Sequence, residues 1–216
     1  MKPGVPDETA LEQITRETLD HYETGADGFW HGTREHDVSQ NIDALLGELH
    51  GPGPQRILDL GCGPGRDLKS FLERGHYPVG LDGALAFVEM ARNHAGVDVY
   101  HQNFLALDLP SGSFDGVFAN ASLFHVPSSE LARVLDRLRA CLRPGGVLFA
   151  SNPRGDNREG WFGQRYCVYH DLDGWRSFVL GAGFEEIRHY FRPAGLPRDQ
   201  QPWLATLWRT PLEPDS

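Results

Sequence analysis

The chain has 216 residues, with 20 basic and 30 acidic side chains and a formal net charge of −10 when histidines are neutral. This length is enough for one domain with a full core. The acidic balance argues against nucleic acid as the main partner, because phosphate binding relies on clustered Lys and Arg.

In chain order, residues 1–7 and 212–216 read as loose ends. RILDL (56–60) is a short apolar strand. DLKSFLERG (67–75) places Leu68, Phe71 and Leu72 on one helical face and stops at Gly75. VGLD (79–82) predicts a second strand, LAFVEMARNH (85–94) a second helix, VDVYH (97–101) a third strand and FDGVFAN (114–120) a fourth. Leu131, Val134, Leu135, Leu138 and Leu142 form an apolar stripe at helical spacing, with Ser128 as the expected N-cap. RPGG (143–146) turns the chain into strand five. A helix around Trp175–Leu180 follows, and EEIRHYF (185–191) and LATLWRT (204–210) close the pattern as two strands. The β-α-β-α alternation predicts an α/β fold, an open and mostly parallel sheet with helices on both faces, which binds ligands beyond the C-terminal ends of its strands.

Cys62, Cys141 and Cys167 are odd in number and widely spaced, so they suggest neither a disulfide framework nor a metal site. The start, MKPGVPDETA, has no apolar signal-peptide core, and no apolar run approaches a membrane span. A reducing, cytoplasmic location and no membrane partner are the expectation.

GCGPGRD (61–67) follows strand one and opens a helix. Glycines let a ligand approach the backbone, and the helix N-terminus offers free N–H groups. A nicotinamide site would have G-x-G-x-x-G, but Arg66 stands where the third glycine belongs. The actual spacing, Gly61, Gly63 and Gly65 preceded by Asp59, resembles motif I of class I methyltransferases, which bind S-adenosylmethionine (SAM). The resemblance implies that Asp59 helps hold the amino end of SAM. It also implies that the glycines pack against its methionine and ribose parts. Asp82, ending strand two, is placed to accept two ribose hydroxyls. QNFLALDLP (102–110) resembles the adenine-edge motif, with Asn103 in place of the usual acid; Ala84 departs from the hydroxyl residue often found two places after the ribose acid. Gly83, Phe104 and Asn120 are implied as further cofactor contacts. The resemblance implies a seven-stranded Rossmann-like sheet over about 55–210 and an N-terminal helical cover over about 8–50, all within one domain of 1–216. Tyr22 and Trp30 are the cover residues expected to reach the cofactor.

The resemblance extends further. HDVSQNIDALL (36–46), FDGVFANASLFHVP (114–127), SNPRGDNREGW (151–161), YHDLDGW (169–175) and PAGLPRDQQPWLA (193–205) resemble the C-terminal methyltransferase domain of bifunctional ovothiol synthases. That domain methylates the imidazole π nitrogen of 5-thiohistidine, giving ovothiol. The iron-dependent sulfoxide synthase region has no counterpart here, so the resemblance implies a stand-alone methyltransferase acting downstream of a separate sulfoxide synthase. The acceptor is a zwitterion with a planar ring and a sulfur. Its carboxylate calls for a guanidinium fork, and its ring for aromatic walls. Arg154, Asn152 and Asn157 in the polar stretch after strand five are the expected clamp. Phe124, Trp161 and Tyr166 are expected walls, joined by Phe29, Trp30 and Tyr169. Arg158 and Glu159 read as exposed loop charges. His125, Tyr169 and His170 are the candidates to fix the ring tautomer or take its proton. The alternatives are methylation of another small azole or amino acid and a non-catalytic SAM-binding partner.

Overall fold

The computed structural model describes residues 6–51 and 53–212. Three helices come first: α1 (Glu8–Thr24), α2 (Ala26–Thr33) and α3 (Ser39–Leu46). The alternating region follows as β1 (Arg56–Leu60), α4 (Arg66–Glu73), β2 (Tyr77–Asp82), α5 (Leu85–Ala95), β3 (Val99–His101), β4 (Phe114–Asn120), α6 (Ser128–Cys141) and β5 (Leu142–Pro153). A hairpin, β6 (Arg158–Phe162) and β7 (Arg165–Tyr169), then precedes α7 (Leu172–Gly181), β8 (Glu185–Arg192) and β9 (Trp203–Arg209).

Seven strands form one sheet in the order β3-β2-β1-β4-β5-β9-β8, and β6 with β7 forms a separate two-stranded sheet. The first five strands of the large sheet run parallel, and β9 enters antiparallel between β5 and β8. β1 and β4 are neighbours with their crossovers running in opposite directions. This is the switch point where such sheets bind ligands. The parallel strands are apolar throughout because both faces are covered. Leu58, Leu60, Val117 and Leu148 pack on one side with the α6 stripe, while Ile57, Phe118 and Phe149 pack on the other with Ile42 and Leu45 of α3.

Several expectations at element boundaries need correction. Pro127, not Ser128, precedes the first turn of α6, and no side chain of that residue caps it. The carboxylate of Glu159 caps that helix instead, accepting the Ser128 N–H at 3.0 Å and the Tyr166 hydroxyl at 2.9 Å, so Glu159 is not a solvated loop charge. Arg158 does sit at the surface, paired with Asp156 at 2.6 Å. Asp7 caps α1 by accepting the Ala10 N–H at 2.9 Å, so that end of the expected tail is structured; residues 1–5 and 213–216 lie outside the described residues. The hairpin replaces the loop expected after strand five. Its turn at Gly163 (φ +67°) joins two strands that the polar composition of the region disguised.

Gly65 is the N-cap of α4 with φ +92°, and a Cβ built there would lie 2.8 Å from the Ala91 Cα on α5. Left-handed backbone and close helix packing both exclude a side chain. Gly65→Ala is expected to destabilise the ligand-free protein by about 1–3 kcal/mol, read as a lower urea midpoint with an unchanged slope. A midpoint equal to wild type would show that α4 and α5 are not this close.

Candidate functional site

A cavity of about 770 Å³ opens at the C-terminal ends of β1, β2, β4 and β5 and is covered by α1 and α2. The glycine turn after β1 supplies its floor. Gly61 and Gly63 have φ of +73° and +52°, and a Cβ at Gly61 would lie 2.6 Å from Ser122 Cβ. Only glycine leaves this floor open.

Asp82 holds that turn. Its Oδ2 accepts the Gly63 N–H at 2.9 Å and its Oδ1 the Ala84 N–H at 3.0 Å. One carboxylate thus ties the end of β2 to the loop after β1 and to the start of α5. Burial pushes its pKa up to about 6, against backbone bonds that pull it down. Asp59 is buried behind the turn and does not line the cavity. Burial raises its pKa well above the usual carboxylate range, with repulsion from Asp67 adding to the effect. Its Oδ2 has no hydrogen-bond partner among the described residues.

Along the wall, Asn103 Oδ1, Ser122 Oγ and Ser151 Oγ are also buried without partners among the described residues. Such atoms cost about 1–3 kcal/mol each when left unpaired, so they mark where ligand groups dock. They fit SAM: Asn103 could accept from the adenine amino group and Asp82 from the ribose hydroxyls, and the glycine turn would border the methionine part. Phe104 lies beside the Gly61 floor, within 3.1 Å of where its Cβ would be.

The cover is fastened at several points. A Cβ at Gly83 would collide with Leu19 of α1 at 2.6 Å, and Glu23 accepts the Ala86 N–H at the start of α5. Arg66 occupies the position of the missing third glycine and has a definite task. It grips Asp67 with two bonds, 2.6 and 3.0 Å, and donates to the Thr33 carbonyl at the end of α2 at 2.8 Å. Asn120 donates to Asp67 at 3.2 Å and accepts from Asn41 of α3 at 2.9 Å, and Tyr190 of β8 donates to Asn41 at 2.9 Å. This network joins the glycine loop to the cover and to the far edge of the sheet.

Tyr22, Phe29 and Phe87 cluster at the roof, with ring centroids 5.1–5.9 Å apart. Trp30 reaches the wall and packs edge-on against His94. As the chain leaves β4, Ala121 takes a left-handed backbone, φ +63°. Phe124 and His125 follow on a short helical turn, their rings 4.0 Å apart. His125 Nδ1 faces the Tyr166 carbonyl at 2.8 Å, which can only accept, so the proton is on Nδ1. Nε2 is then an acceptor, and the Tyr22 hydroxyl donates to it at 2.7 Å. Arg165 in turn donates to the Tyr22 oxygen at 3.1 Å. Burial lowers the His125 pKa to about 4, so its imidazole is neutral, and burial raises that of Tyr22.

The structure therefore brings together on the cavity wall Tyr22, Trp30, Gly61, Gly63, Asp82, Gly83, Asn103, Phe104, Asn120, Phe124 and His125. The expected clamp lies elsewhere. Arg154 donates to the carbonyls of Gln201 and Arg198 at 3.2 and 2.7 Å, fastening the loop before β9. Asn157 exchanges two hydrogen bonds with Asp171, closing the base of the hairpin onto α7. Asn152 is buried beside Ser151 but does not line the cavity. Trp161 and Tyr166 pack on each other, and Trp161 faces solvent. Tyr169 stands behind Phe124, stacked on it at 6.2 Å. His170 is buried against Trp175 and Phe178, away from the cavity. Arg154 and Asn157 lie in the short link between β5 and β6, where their hydrogen bonds turn them to the loop before β9 and to the start of α7. Sequence reasoning missed Ser122, Arg165 and Trp203 on the wall. FGQ (162–164) between two runs containing aromatic and β-branched residues was the available signal for the hairpin that carries Arg165.

Residues 57–146 match the family model described as a methyltransferase domain. The trans-aconitate 2-methyltransferase of Acidovorax sp. (strain JS42) is 38% identical over 113 residues, covering 50% of this chain and 42% of that protein. The malonyl-[acyl-carrier protein] O-methyltransferase of Salmonella typhimurium is 30% identical over 154 residues, covering 64% and 61%. The chain thus spans about half the length of the curated relatives it matches. A crystal structure of Burkholderia thailandensis 1,6-didemethyltoxoflavin-N1-methyltransferase, with its acceptor and S-adenosylhomocysteine bound, superposes with a TM-score of 0.75 at 22% identity, covering 98% of this chain and 93% of that one.

Asp82 provides a test of the cofactor site. An ionised carboxylate accepts two ribose hydroxyls; a protonated one loses an acceptor and its charge. SAM affinity should therefore be constant above about pH 6 and fall as pH drops through 6. Asp82→Asn should weaken SAM binding by about 1–3 kcal/mol at pH 7.5 and flatten the pH dependence. Calorimetry between pH 5 and 8 checks both effects, and a variant with wild-type affinity would remove Asp82 from the ribose site. Residues 57–146 match the model of a methyltransferase domain, and the chain has a Rossmann-like fold shared with the superposed methyltransferase structure.

Proposed function

We propose that the protein is a SAM-dependent N-methyltransferase acting on a ring nitrogen of a small azole amino acid, with 5-thiohistidine as substrate and ovothiol A as product. The observation that carries this reading is the acceptor end of the cavity. The part of the cavity lined by Phe124, Tyr22 and His125, the Phe124–Tyr22 slot, presents aromatic rings, a neutral imidazole and a phenol, with the His125 ring 4.0 Å from Phe124 and 5.4 Å from Tyr22. The resemblance of the acceptor motifs to the ovothiol synthase methyltransferase domain selects 5-thiohistidine among azoles. The named acceptor of the Burkholderia neighbour is also methylated on a ring nitrogen.

Transfer from a sulfonium is an in-line displacement. The ring nitrogen donates its lone pair to the methyl carbon, the carbon–sulfur bond breaks, and S-adenosylhomocysteine leaves as a neutral thioether. Alignment is the protein's main contribution, worth up to about 7–11 kcal/mol in favourable systems. A strong base is not required, and His125 is poorly suited to be one. Burial lowers its pKa to about 4, below that of a free imidazole, so it holds a proton poorly at neutral pH. Its fixed tautomer is better matched to aiming the Tyr22 hydroxyl. Tyr22 is then the group that meets the acceptor, and His125 positions it.

The names of the curated relatives, a trans-aconitate 2-methyltransferase and a malonyl-[acyl-carrier protein] O-methyltransferase, favour a second reading, O-methylation of a carboxylate. Mild alkali separates the two, since a methyl ester hydrolyses and an N-methyl azole does not. The direct experiment is incubation of purified protein with SAM and 5-thiohistidine, with mass spectrometry and NMR locating the methyl. Methyl on the π nitrogen is expected; no transfer to any thiol-bearing azole would end the reading. Tyr22→Phe should lower kcat by about tenfold to a hundredfold while SAM affinity holds. His125→Gln should lower kcat without removing any limb of the pH–rate profile. A limb near pH 6.5 that disappears in His125→Gln would make His125 a base after all.

A further inference from the structure

The β6–β7 hairpin carries into the cavity a cation that meets no opposite charge. Arg165 opens β7, lines the cavity and is half-buried. Its Nη1–H donates to the Tyr22 hydroxyl at 3.1 Å, and its guanidinium carbon lies 5.8 Å from the centre of that ring. Among the described residues it forms no ion pair. The other two arginines on the wall have acidic neighbours. Arg66 is held in a two-bond pair by Asp67. Arg192 donates to the Asp37 carbonyl at the mouth, and the Asp37 carboxyl is held below its usual pKa first by hydrogen bonds from Ser39 and then by Arg192.

What sets this guanidinium apart is its place, half-buried on the cavity wall against the Tyr22 hydroxyl. A Tyr hydroxyl takes one of its five N–H donors and an aromatic face offers only a weak partner. The remaining donors form a planar fork, the geometry that carboxylates bind best. Arg165 also shares its corner of the cavity with Tyr22 and His125, so an anion bound there is held next to the acceptor slot.

We propose that Arg165 is the anion anchor of the acceptor site, taking the carboxylate of the acceptor and restricting the protein to carboxylate-bearing acceptors. This rests on the reading above that the Phe124–Tyr22 slot takes the acceptor ring. It transfers to Arg165 the task that the sequence assigned to Arg154. Because the same guanidinium donates to Tyr22, seating the carboxylate and orienting the phenol are coupled.

The test uses protein loaded with S-adenosylhomocysteine and calorimetric titration of wild type, Arg165→Lys and Arg165→Gln. The probes are 5-thiohistidine, its decarboxylated counterpart 5-thiohistamine, L-histidine, trans-aconitate and malonate. Wild type should bind at least one acid, and 5-thiohistidine at least about tenfold more tightly than 5-thiohistamine, the usual range for a charge-assisted hydrogen bond. Arg165→Gln should abolish that preference and leave 5-thiohistamine within about threefold of wild type, with Arg165→Lys in between. S-adenosylhomocysteine affinity and the melting temperature report whether each variant is folded; a folded Arg165→Lys with weakened acid binding keeps the test valid if Arg165→Gln unfolds. An Arg165-dependent affinity for other acids without methylation of 5-thiohistidine supports the anchor and removes that substrate. Acid binding that is equal in wild type and a folded variant, or no binding of any acid by wild type, overturns the anchor.

Discussion

The site depends on keeping one carboxylate ionised where water scarcely reaches. Asp82 sits at the end of a central strand, and two backbone N–H groups are its compensation. Those two bonds fix the glycine turn and the start of α5, the two surfaces between which a nucleoside would lie. Stability and ligand recognition therefore draw on the same contacts. The pKa of about 6 shows that burial exceeds what the two bonds return. Further donors would favour the ionised form, and a ribose diol would supply them.

The sheet leaves its switch point open, and the elements outside it decide what enters. α1 and α2 close over the turn through Leu19, Glu23 and the Arg66–Thr33 bond. The hairpin braces α1 from the other side. Tyr166 and Val168 pack on Ile14, the Tyr166 N–H donates to Thr18 Oγ1 at 3.1 Å, and Gln164 meets His21 at 3.1 Å. Cofactor cover and acceptor wall are thus one mechanical unit. On the proposed reading, an acceptor held by Arg165 would bear on the Tyr22 hydroxyl, to which Arg165 donates at 3.1 Å.

The core of the fold was legible because apolar strands alternating with helical stripes leave few topologies open. RILDL, FDGVFAN and the Leu131–Leu142 stripe fall where the pattern puts them. Gly61, Gly63, Asp82 and Asn103, read from the sequence in that order, all line the one cavity. Asp59 and Gly65 were legible as motif members but not as buried ones: the turn hides the first, and Ala91 fills the space beside the second. The acceptor half was misplaced because SNPRGDNREGW looks like a loop by composition. As the end of β5 and the start of a hairpin it points Arg154 and Asn157 into hydrogen bonds with other loops. His170 was attractive by type, but its ring is buried with Trp175 and Phe178. Arg165 carries no local signal. It becomes significant only when the hairpin brings it to Tyr22, 143 residues earlier in the chain.

The account's central claim is that a single cavity seats the cofactor over Asp82 and the acceptor ring between Phe124 and Tyr22. A crystal structure with S-adenosylhomocysteine and 5-thiohistidine bound together tests it most directly. The expected result is the ribose on Asp82, the imidazole in the aromatic slot within reach of the Tyr22 hydroxyl, and its π nitrogen directed at the cofactor sulfur with room for one methyl group between them. An acceptor bound on the Arg154 or His170 side of β5, outside the cavity, would contradict it.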